Sequence, residues 1–87
     1  MSKTIKVEPY SALVNQEFFS KFSRILHVWS EPKSAVEGSK VVDEIKRPIE
    51  VTVLELQKDG YFRPQRARIR YNGGRKGWVL YDALIKK

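Results

Sequence analysis

The stretch Arg75-Lys76-Gly77-Trp78-Val79-Leu80-Tyr81-Asp82-Ala83-Leu84 reads as a strand that returns from a tight turn and closes in one helical turn. Asn72-Gly73-Gly74 stands just before it, and glycine enters left-handed turn conformations without a side-chain clash. Ala67 to Tyr71 supply the preceding strand. Further upstream, Lys58-Asp59-Gly60 carries an Asp-Gly turn signature. The run Val51-Thr52-Val53-Leu54-Glu55-Leu56 is rich in β-branched residues and predicts another strand. Pro48 marks a turn, and Val41, Val42 and Ile45 belong to a strand before it. Residues 30–40 have loop composition, with Pro32 and Gly38 as breakers, and residues 24–29 alternate as a first barrel strand. Short strands at close spacing, joined by turns, predict a small barrel.

The N-terminal part has a different period. Ile5 and Val7 fit a short edge strand ended by Pro9. Leu13, Val14, Phe18 and Phe22 recur at three- and four-residue steps, with Ser11 as an N-cap, which predicts a helix near residues 11–22. Phe18 or Phe22 is expected to pack it onto the barrel. The expected architecture is mainly β, a five-stranded barrel with an added N-terminal α-helix. Residues 1–87 make one domain, with 1–23 as an extension and 24–87 as the barrel. The expected core is Leu26, Val28, Val42, Ile45, Val51, Val53, Leu54, Ile69, Val79 and Leu84.

A chain of 87 residues buries a modest share of its surface, yet 41% hydrophobic residues suffice for a compact core. With no cysteine, neither a disulfide nor a thiolate metal site supports the fold. The N-terminus Met1-Ser2-Lys3-Thr4-Ile5-Lys6 lacks the apolar run of a signal peptide, and no segment approaches a membrane span. The expectation is a cytoplasmic protein without membrane insertion.

Together these stretches resemble the bacterial SH3-like (SH3b) family over residues 24–84. Leu26, Val28, Ser30 and Pro32 match its opening motif, and Val51, Val53 and Leu54 match its central strand. Tyr71-Asn72-Gly73 and Gly77-Trp78-Val79, with Leu84, match its final hairpin. Trp29 stands where the family usually has arginine, and Glu31 where it has glycine. The resemblance implies an SH3-like barrel that binds ligands and does not catalyse reactions. It also implies a groove lined by loop aromatics, here Trp29, Tyr61, Phe62, Trp78 and Tyr81. Many members bind cell-wall peptide or glycan, and the resemblance implies that as a third reading, with the aromatic groove as the site.

The residues themselves give catalysis little support. His27 is the single histidine, and alternation sets it opposite Leu26 and Val28 as a surface strand residue. The acids are scattered; Asp43-Glu44 are adjacent on a strand and face opposite ways. Gly73-Gly74 lacks the Lys-Ser/Thr and following helix of a phosphate loop, and a hairpin turn explains both glycines. No metal and no cofactor are expected.

Charge is the sharper signal. Residues 1–59 hold nine Lys/Arg against nine Asp/Glu, whereas residues 60–87 hold eight against Asp82 alone, so the net +7 lies in the last third. In Arg66-Ala67-Arg68-Ile69-Arg70-Tyr71, alternation sends the three arginines to one face, roughly 7 Å apart along the strand. A guanidinium fork donates two hydrogen bonds to one phosphate. Arg63, Arg75 and Lys76 extend the charge, and Tyr61-Phe62 beside Arg63 interleaves aromatic with basic, as in single-strand binders. The expected ligand is therefore nucleic acid, held by Arg63, Arg66, Arg68, Arg70, Arg75 and Lys76. The alternative is an acidic partner or host protein that a small basic domain of phage type would modulate. Against both stands pairing of these arginines with Glu55 and other acids of the neighbouring strand.

Overall fold

Alternation of β-branched and polar residues persists through most of the chain, and strands dominate its structure. The computed structural model describes residues 2–15, 25–33, 35–59 and 64–86. Its strands are β1 (Ser2–Val14), β2 (Leu26–Trp29), β3 (Val41–Ile45), β4 (Glu50–Asp59), β5 (Arg66–Tyr71), β6 (Arg75–Leu80) and β7 (Leu84–Lys86). Single 3-10 turns occupy Ala35–Glu37 and Tyr81–Ala83, the second where a helical turn was expected. The strands form one antiparallel sheet in the order β3-β2-β6-β5-β4-β1-β7. It curls into half a barrel around the core and ends on β3 and β7.

The expected five strands and N-terminal α-helix give way to this arrangement. Residues 11–14, assigned to the helix, are the end of β1, where Ser11 and Ala12 pair with Thr52 and Val51. No α-helix occurs among the described residues. Phe18 and Phe22 lie outside them. Pro9 does not end the first strand. It sits where the β1–β4 register slips, between Lys6↔Glu55 and Tyr10↔Val53, so its missing N–H leaves no gap in the ladder. β4 continues through Lys58 and Asp59, opposite Lys3 and Ser2, and Gly60 of the expected Lys58-Asp59-Gly60 turn lies outside the described residues.

The core lies on the concave face. Leu26, Val28, Val51, Val53, Ile69 and Val79 are all at most 2% exposed, with Ala12, Val14, Ala67, Tyr71 and Ala83 packed among them. Three expected core residues differ. Leu54 is a bulge residue, skipped between the pairs Val53↔Ile69 and Glu55↔Arg68, and is only half-buried. Val42 is skipped in the same way between Val28↔Asp43 and Trp29↔Val41, and is 57% exposed. Leu84 is partly buried against the core.

Two local devices fix the sheet. Asn72 and Gly73 have φ of 46° and 78°, and the Gly74 N–H donates to the Tyr71 carbonyl at 3.1 Å, closing a tight turn between β5 and β6. Gly77 is required by space: a Cβ there would overlap the Val28 side chain, which packs directly on the β6 backbone. The loop after β2 is pinned at its base. Ser30 N–H donates to the Lys40 carbonyl, Lys40 N–H to Ser30 Oγ, and the buried Ser39 hydroxyl to the Glu31 carbonyl. Gln57 Nε2 donates to the Pro32 carbonyl at 2.7 Å, so the loop reaches across to β4. No helix among the described residues is long and apolar enough to cross a membrane.

Candidate functional site

Strand register assigns the outer face residue by residue. One row runs Trp29–Trp78–Arg68–Glu55–Lys6 across β2, β6, β5, β4 and β1. A second runs Leu80–Arg66–Gln57–Thr4, and a third Lys76–Arg70–Thr52–Ser11. Arg66, Arg68, Arg70 and Lys76 therefore share one face, because Ala67 and Ile69 between the arginines, and Tyr71 after them, point into the core.

Their electrostatic states differ. Arg68 pairs with the mostly buried Glu55, Nη1 to Oε1 at 3.1 Å, so one expected cross-strand neutralisation is present. Arg66 donates to the neutral Gln57 Oε1 at 3.2 Å and keeps its charge uncompensated there. Arg70 and Lys76 are exposed and directly opposite one another, in a row without an acid. Among the described residues neither has an ion-pair partner. Like charges directly opposite across strands are mutually destabilising.

Arg75 does not join this face. It lies on the core side of β6 opposite Tyr71, and its Nη1 donates to Asp43 Oδ2 at 2.9 Å. The Tyr71 hydroxyl donates to the same oxygen at 2.6 Å, and the Glu44 N–H to Asp43 Oδ1 at 2.8 Å. Those donors, Tyr71 foremost, hold the Asp43 carboxyl down to about 2. Burial, and then the Asp43 carboxylate, push the Tyr71 hydroxyl well above its ordinary range. The cluster ties edge strand β3 to the β5–β6 hairpin. Glu44 points the other way, 3.5 Å from His27 Nε2. Arg63 lies outside the described residues.

Of the aromatics expected to line a groove, Trp29, Trp78 and Tyr81 are among the described residues. Trp29 and Trp78 are cross-strand neighbours on the outer face. Trp78 is only 7% exposed, and although it lies opposite the core, the loop that reaches Gln57 spans this side of the sheet. Trp29 is half-buried, its ring edge-on to His27 at 6.3 Å between centroids. Tyr81 instead neighbours Tyr10, whose hydroxyl is pushed up by burial and by Tyr81. Tyr61 and Phe62 lie outside the described residues.

Two shallow depressions flank Tyr71 and Asn72 at the end of the sheet. One, about 440 Å³, is lined by Val42, Asp43, Tyr71, Arg75 and Lys76. The other, about 430 Å³, brings the β3–β4 loop residues Lys46 and Arg47 to Asn72 of the β5–β6 turn. Sequence reading passed over these two cations because residues 1–59 are neutral in sum; the signal available was a Lys-Arg-Pro step at a turn. Among the described residues, no group of three or more His, Asp or Glu converges as a metal site. No protein-family model, curated protein or solved structure matches this chain.

Proposed function

We propose that this protein is a non-enzymatic binding module that holds a nucleic-acid backbone on the outer face of β5 and β6. The exposed Arg70 and Lys76 are the principal phosphate contacts, with the partly buried Arg66 and Arg68 beside them. The observation that carries the reading is the Arg70–Lys76 pair: two exposed cations face each other across strands, in a row with no acid to offset them. A phosphate between them relieves the repulsion and receives charge-assisted hydrogen bonds. Backbone contacts of this kind carry no sequence preference.

The test is fluorescence anisotropy with a labelled duplex and a labelled single strand, over a salt series. Binding should weaken steeply with salt, and Arg70→Gln/Lys76→Gln should reduce the slope of log K against log[salt] by about two on duplex. Salt-insensitive binding, or none at low ionic strength, overturns the reading. An acidic protein surface is the second reading, favoured by Leu80, which is 46% exposed directly opposite Arg66. In nuclease-treated lysate, an acidic protein retained by wild type and lost from the double variant would support it.

A further inference from the structure

Resting on that reading, we infer that the phosphate path continues round the end of the sheet, where Lys46 and Arg47 form a second grip on the same backbone. Four observations converge. Lys46 and Arg47 are exposed, and among the described residues neither has an ion-pair partner. Both line one depression with Asn72, although β3 and β5 are separated in the sheet by β2 and β6. Arg70 precedes Asn72 by two residues, about 7 Å along an extended chain, so the depression adjoins the Arg70–Lys76 row. Gly73 and Gly74, with open space on their side-chain positions, let a polymer backbone approach the turn closely.

Of the acids at this end, Asp43 is already engaged. Asp43 is held by Tyr71, Arg75 and the Glu44 N–H. Glu44, which also lines the depression, faces His27. Pro48 restricts the loop that carries the two cations, which lowers the cost of ordering it on a ligand. From Arg66 to Asn72 is roughly 20 Å of strand. Laid along a duplex axis, that length corresponds to about six phosphates of one strand, at 3.4 Å of axis each.

The experiment compares three double variants with wild type on one labelled duplex across a salt series. These are Lys46→Gln/Arg47→Gln, Arg70→Gln/Lys76→Gln, and a control of equal charge loss off the path, Lys3→Gln/Lys40→Gln. Melting curves first establish that each is folded. The Lys46/Arg47 variant should bind about tenfold more weakly near physiological salt and lower the salt slope by about two. The control should stay close to wild type. If the Lys46/Arg47 variant tracks the control while the Arg70/Lys76 variant weakens binding, the second grip is wrong and the face reading stands. If wild type binds no nucleic acid, both fall together.

Discussion

Three donors converge on the Asp43 carboxylate: the Tyr71 hydroxyl, the Glu44 N–H and the Arg75 guanidinium. Its native value of about 2 lies below the ordinary unfolded value of about 3.9. The depressed value sets the sign. As acid is added the unfolded chain takes up this proton first, so Asp43 stabilises the fold above about pH 4 and loses that contribution between about 4 and 2. Asp43→Asn should therefore be less stable than wild type at neutral pH, and the gap should shrink through that window. Urea unfolding of both proteins at several pH values checks it; a gap unchanged at pH 2 removes Asp43 from the role. None of this was legible in sequence, since Tyr71 and Arg75 are 28 and 32 residues away. The turn residue Asn72 was legible, because its conformation depends on its neighbours alone.

At the scale of elements, β1 shows where local pattern misleads. Leu13 and Val14 fitted a helical face only when counted with Phe18 and Phe22. The pattern that operates is alternation, with Ala12 and Val14 at 1% exposure and Leu13 at 38%. Alanine signals neither period, so the choice was decided by pairing with β4, a contact forty residues along the chain that no local window contains. The β4 bulge is similar. Continuous apolar residues at Val53 and Leu54 gave no sign of which would be skipped, and the register with β5 selects Leu54. Truncation separates the two. Val53→Ala should cost about 2–3 kcal/mol, since Val53 is fully enclosed. Leu54→Ala, although it deletes more atoms, should cost under about half of that because the side chain is half-buried. Chemical denaturation measures both, and the reverse order would place the bulge elsewhere.

For the whole molecule, the basic last third was legible from charge counting, and alternation alone placed Arg66, Arg68 and Arg70 on one face. Which charges remain available was not legible. Register gives Arg68 to Glu55, the hairpin gives Arg75 to Asp43, and curling of the sheet brings Lys46 and Arg47 to its end. A net charge of +7 on so small a chain also acts on the fold itself, through self-repulsion that salt screens. Salt should then act in opposite directions on stability and on binding. Raising it from low to moderate concentration should raise the melting temperature of wild type while weakening nucleic-acid binding. Arg70→Gln/Lys76→Gln should melt a few degrees above wild type at low salt, because removing a directly opposed like-charge pair is worth about 0.2–1 kcal/mol. That advantage should fade as salt rises, while the variant binds more weakly throughout. Calorimetry and anisotropy on the same samples test the pair of trends. If the variant proved less stable than wild type at low salt, the two cations would be serving the fold and not an external anion.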